Sequence, residues 1–112
     1  MEAQASRPVD QRILLEPKVI ETISLVYDPE IPVNIWELGL IYELRVEPSG
    51  AVYVKMTLTA PACPSAQTLP AEVESRIRAV EGVREVNVEV VWEPAWTPDR
   101  MSEAAKLQLG MW

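Results

Sequence analysis

The chain has 112 residues, 48% of them hydrophobic and 24% charged, a length and balance that fit one folded domain and exclude both two ordinary domains and a disordered chain. With 17 acidic residues against 10 basic ones the formal charge is −7, which argues against nucleic acid and anionic membranes as partners. The absence of histidine and the single cysteine exclude Ser-His-Asp and Cys-His pairs, histidine metal ligands, a closed structural zinc site and an internal disulfide.

The first dozen residues are polar and lack both periodicity and the apolar run of a secretory signal. Residues 1–15 are therefore expected to be a flexible tail, and residues 16–112 one domain that includes a Trp-rich segment at 93–112. The lone thiol fits a cytoplasmic setting, and no apolar run is long enough to cross a bilayer. From Pro17 the pattern is helical, with Val19, Ile20, Ile23, Val26 and Tyr27 on one stripe and Pro17 at a first helical position. Asp28 precedes Pro29 and should stop the helix near Tyr27. The next stretch, to Asn34, is stiffened by Pro29 and Pro32 and reads as a loop of definite shape.

Two strands follow, because Tyr42, Leu44 and Val46, then Val52, Val54, Met56 and Leu58, alternate with polar residues. Pro48-Ser49-Gly50 supplies the turn between them, so the pair is an antiparallel hairpin with one apolar face. A second helix is expected over 64–80, with Ala66, Leu69, Val73, Ile77 and Val80 buried and Gly82 as its stop. Pro70 falls inside it, which leaves three forms open: a kink near Ala66, a separate first turn, or a helix that begins at Pro70. A third strand presents Val86, Val88, Val90 and Trp92 inward. A terminal helix should start at Thr97-Pro98-Asp99 and bury Met101, Ala105 and Leu109.

The order α-β-β-α-β-α, with one apolar face per strand, predicts an α+β two-layer sandwich: a mixed three-stranded sheet with helices on one face. The third strand should run parallel to the second. Ile23, Leu44, Val54, Leu58, Val73, Ile77, Val88 and Val90 are the expected core.

Cys63 is the only soft nucleophile or soft ligand. It lies between a strand and a helix start, where unpaired N–H groups favour thiolate over thiol, although a free cysteine is as often a small core residue. Asp28 and Glu30 sit beside prolines, a setting that suits either a hard cation or, more commonly, capping of a turn. Trp36 and Trp92 are expected in the core. Trp96 and Trp112 either clamp the terminal segment or anchor a partner.

Three segments resemble the SufT/PaaD-type family, the small α/β domain associated with iron–sulfur cluster assembly. They are Tyr27-Asp28-Pro29-Glu30-Ile31-Pro32-Val33-Asn34-Ile35, Glu37-Leu38-Gly39-Leu40-Ile41-Tyr42, and Met56-Thr57-Leu58-Thr59-Ala60-Pro61-Ala62-Cys63-Pro64. Residues 96–102 and 107–111 are similar to the SufT branch. PaaD-type members carry a cysteine-rich C-terminal extension that has no counterpart here. The resemblance implies a non-enzymatic accessory factor in iron–sulfur protein maturation, with Cys63 as functional thiolate and Asp28, Glu30, Thr59, Pro61 and Pro64 as its supporting loops. It also implies a transient cluster or iron rather than a stable cofactor. One thiolate per chain cannot hold a cluster that takes four, so a homodimer or a scaffold, carrier or recipient protein would complete the ligand set. The competing reading is an interaction subunit that binds no metal and assists assembly of a multicomponent oxygenase.

Overall fold

Three six-residue strands, β1 (Ile41–Val46), β2 (Ala51–Met56) and β3 (Glu85–Val90), form one sheet in the order β1-β2-β3. The computed structural model describes residues 11–29, 31–59 and 65–110. β1 and β2 pair antiparallel through the expected turn, in which the Gly50 N–H donates to the Glu47 carbonyl at 2.9 Å. β3 runs parallel to β2, with Val52 opposite Val86 and Met56 opposite Val90. The sheet is mixed, as its sequence pattern predicts.

Val52, Val54 and Met56 of β2 are buried while Lys55 between them is exposed. The face that carries Lys55 is open to solvent. There Lys55 Nζ lies 3.7 Å from Glu43, Arg45 Nε lies 2.8 Å from Glu47, and the Arg45 guanidinium sits 4.5 Å from the Tyr53 ring centroid. Exposed pairs of this kind contribute about 0–1 kcal/mol each, so they solubilise the face more than they hold it.

On the opposite face α1 (Gln11–Ile23) packs against β1, a one-turn helix α2 (Ile35–Leu38) packs beside α1, α3 (Ser65–Arg78) packs against β3, and α4 (Glu103–Gln108) packs on α2. α1 begins at Gln11, not Pro17, and Leu15 is 2% exposed, so the sequence pattern placed the helix start too late. Pro17 is an interior residue, and the first-position reading fails. Its missing N–H costs about 3 kcal/mol, but burial of Leu15, Val19 and Ile23 returns about 1.5–3 kcal/mol each. The helix ends at Ile23, earlier than predicted, and Tyr27 lies on the surface rather than on the buried stripe.

α3 rules out two of the three forms left open by Pro70, a separate first turn and a start at Pro70. The helix runs unbroken from Ser65 through Pro70 to Arg78, held by the buried Leu69, Val73 and Ile77, and Gly82 adopts a φ of 98° just beyond it. Four other expectations need correction. α2 was not foreseen. Trp92 is 42% exposed instead of buried, and Leu44, Val88 and Val90 are half-buried because β1 and β3 are edge strands. The terminal helix is two pieces, a 3-10 turn (Pro98–Arg100) and then α4. Its cap is Ser102, whose hydroxyl accepts from the Ala105 N–H, while the Thr97 side chain makes no capping bond. Met101 and Ala105 are buried and Leu109 packs against the core, as expected.

Candidate functional site

Strand pairing brings the motif segments to one end of the sheet. Ile41 opens β1 opposite Met56, and Met56 lies opposite Val90, so β1 starts where β2 and β3 finish. A relay of backbone hydrogen bonds joins the segments there. The Ile35 N–H donates to the Val26 carbonyl (2.9 Å), the Leu40 N–H to the Ile35 carbonyl (3.1 Å), and the Thr57 N–H to the Leu40 carbonyl (2.8 Å). The acidic loop, α2 and the exit of β2 therefore form one bonded unit. The chain then leaves through Leu58 and Thr59 toward Cys63, which precedes Ser65 at the head of α3 by two residues.

Asp28 is 3% exposed, and its Oδ1 accepts from the Ile31 N–H at 3.2 Å. This is the turn-capping role expected of an Asp before Pro. The loop closes with an antiparallel bridge between Tyr27 and Asn34. Among the described residues, no group of three or more Cys, Asp or Glu side chains could hold a metal ion; Glu30, the other carboxylate of the cation expectation, lies outside them. Thr59 is half-buried. Thr57, which the sequence reading did not single out, is 1% exposed, and its hydroxyl has no hydrogen-bond partner among the described residues. Cys63, Glu30, Pro61, Pro64 and Trp112 lie outside the described residues.

The short helix is the other feature that escaped notice. The Asn34 Oδ1 accepts from the Glu37 N–H at 2.9 Å, and Gly39 ends the turn at φ 79° with its N–H on the Trp36 carbonyl. Asn34, Glu37 and Gly39 are a cap, an N3 acid and a left-handed stop, so the signal was present. It was overlooked because one turn has no periodicity.

Trp96 acts as a clamp. It is half-buried and donates its Nε1–H to the Leu38 carbonyl at 2.7 Å, so its indole N–H is used within the chain rather than offered to a partner. Nearby, the Tyr42 hydroxyl donates to the Pro94 carbonyl at 2.8 Å, and the Arg100 guanidinium sits 4.6 Å from the Tyr42 ring centroid. Leu25 and Tyr27, just before Asp28, are 60% and 55% exposed. No helix among the described residues is long and apolar enough to cross a membrane.

Residues 16–90 match the profile of a family described as "Iron-sulfur cluster assembly protein". The chain is 46% identical over 95 residues to a protein of Porphyromonas gingivalis called an Fe-S protein maturation auxiliary factor, covering 85% of this chain and 90% of that protein. It is 37% identical over 87 residues to the Fe-S protein maturation auxiliary factor SufT of Staphylococcus aureus, covering 78% of this chain and 99% of that one. A crystal structure of a domain of unknown function from Bacillus anthracis superposes with a TM-score of 0.81 at 35% identity, over 89% of this chain and 95% of that domain.

Proposed function

The chain belongs to the iron–sulfur cluster assembly protein family, and from that membership we propose that it is an accessory factor in the maturation of iron–sulfur proteins. The observation that carries this reading is similarity along nearly the whole length of relatives named as maturation auxiliary factors. The chain acts without catalysing a reaction of its own, and Cys63 is its working group. A thiolate is a soft ligand for iron, and in a chain with one cysteine no other side chain can supply one.

The geometry supports a presenting role. The relay from Val26 through Ile35 and Leu40 to Thr57 ties the acidic loop to the strand that leads to Cys63. Motion at the exit of β2 relative to α2 has to break the Thr57–Leu40 bond. In this reading Asp28 shapes the loop through its turn. Glu30, Thr59, Pro61 and Pro64 shape the surroundings of the thiol. The cluster or iron is transient cargo, because one thiolate per chain falls short of the four protein ligands a cluster takes. The missing ligands come from a scaffold, carrier or recipient protein, or from a second copy of the chain, in the cytoplasm.

Deletion of the gene in the native host tests the reading. Enzymes that carry iron–sulfur clusters should lose activity while their polypeptide levels and cluster-free enzymes hold steady, and the supplied gene should restore them. Undiminished cluster enzymes under iron-limited growth would contradict it.

A further inference from the structure

The residues after β3 form a strap that none of the proposed chemistry uses. It starts at one edge of the sheet, where the Val91 N–H donates to the Met56 carbonyl at 2.8 Å, and ends on α2 and the head of β1 at the other edge. Five of its hydrogen bonds fall on one short stretch. Trp96 Nε1–H is bonded to Leu38, the Tyr42 hydroxyl to Pro94, and the Ser102 N–H to the Glu37 carbonyl at 2.9 Å. The Ser102 hydroxyl also donates to the Glu37 carboxylate, and Gln108 Nε2 donates to the Pro32 carbonyl at 3.1 Å. Gly39 lies so close beneath the strap that a Cβ there would meet the Arg100 carbonyl oxygen at 2.2 Å. Every one of these contacts lands within residues 32–42, and that stretch carries two links of the relay, Ile35 and Leu40.

We propose that the strap is a positioning element: Trp96, Ser102 and Gln108 hold the stretch from Pro32 to Tyr42, and through it they set the acidic loop and the exit of β2 that leads to Cys63. A strap that only closed the core would need its apolar residues, Met101 and Ala105, and no particular polar target. This one instead directs its hydrogen-bonding groups to the motif, to the carbonyls of Pro32, Glu37 and Leu38 and the side chains of Glu37 and Tyr42. It also lies beyond residue 90, where the match to the family profile ends. The strap's hold on the loop stands on the described contacts. Its bearing on maturation rests on the function proposed above.

The test uses the full chain with Trp96→Phe, which keeps a ring but loses the N–H, and Gln108→Ala, an exposed change with little packing to lose. Amide hydrogen exchange is followed at Ile35, Leu40 and Thr57 and compared with Val73 and Ile77 in α3. Loss of one such bond should speed exchange at the three relay amides by about five-fold, leave the α3 amides unchanged, and lower rescue of cluster enzymes in a deletion strain. Unchanged exchange at the relay amides, an equal rise in α3, or full rescue despite faster exchange would each overturn the proposal. If deletion of the gene leaves cluster enzymes intact, the maturation reading falls, and the exchange data still decide whether the strap holds the loop.

Discussion

Gly39 meets two demands that no other residue satisfies together. Its backbone sits at φ 79°, where a Cβ costs about 1–2 kcal/mol, and that Cβ would lie 2.2 Å from the Arg100 carbonyl oxygen. Gly39→Ala should therefore lower stability by about 2–4 kcal/mol, strain and overpacking combined, in a denaturant titration. An unchanged midpoint would mean the strap does not seat on this residue. Thr57 poses the opposite case, a buried hydroxyl with no partner among the described residues. Thr57→Val keeps the shape and removes the desolvated oxygen, so stability should hold or rise by up to about 2 kcal/mol. A loss of more than about 1 kcal/mol would show that the hydroxyl is bonded to a neighbour outside the described residues.

The elements differ in how plainly the sequence announces them. The strands were legible because Val52, Val54 and Met56 alternate with Tyr53 and Lys55, and a period of two has few competing explanations. The edges were less so, since alternation cannot tell the central β2 from β1 and β3, where Leu44, Val88 and Val90 stay half-exposed. Prolines misled in both helices. Local preference reads Pro17 as a helix start, but the buried Leu15 two residues earlier outweighs it, and Pro70 is overridden in the same way by Leu69 and Val73. Pro17 is exposed and blocks a hydrogen bond to Ile13, so Pro17→Ala should stabilise the protein by about 1–3 kcal/mol, read as a rise in Tm. A fall in Tm would indicate that the proline ring packs where the alternative cannot. At the site, the turn role of Asp28 followed from its place before Pro29. The relay did not, because a hydrogen bond between Leu40 and Thr57 depends on how the sheet end closes, not on any local pattern.

At the scale of the whole molecule, the two ends of the sheet have different work. One is closed by the Pro48-Ser49-Gly50 turn, with the Arg84 N–H on the Gly50 carbonyl at 2.9 Å. The other gathers the acidic loop, α2, the exit of β2 and the strap. The open sheet face carries the paired charges, and the function proposed above falls to this end, from which the chain continues to Cys63. The proposed function rests on Cys63, the only thiol in the chain. The most direct measurement is rescue of a deletion strain by Cys63→Ser, scored by the activities of iron–sulfur enzymes and read beside a thermal melt of the purified variant. Serine has a similar size but is no thiolate at neutral pH, so the account predicts a melt within a few degrees of the parent and loss of rescue. Full rescue by the serine protein would contradict it.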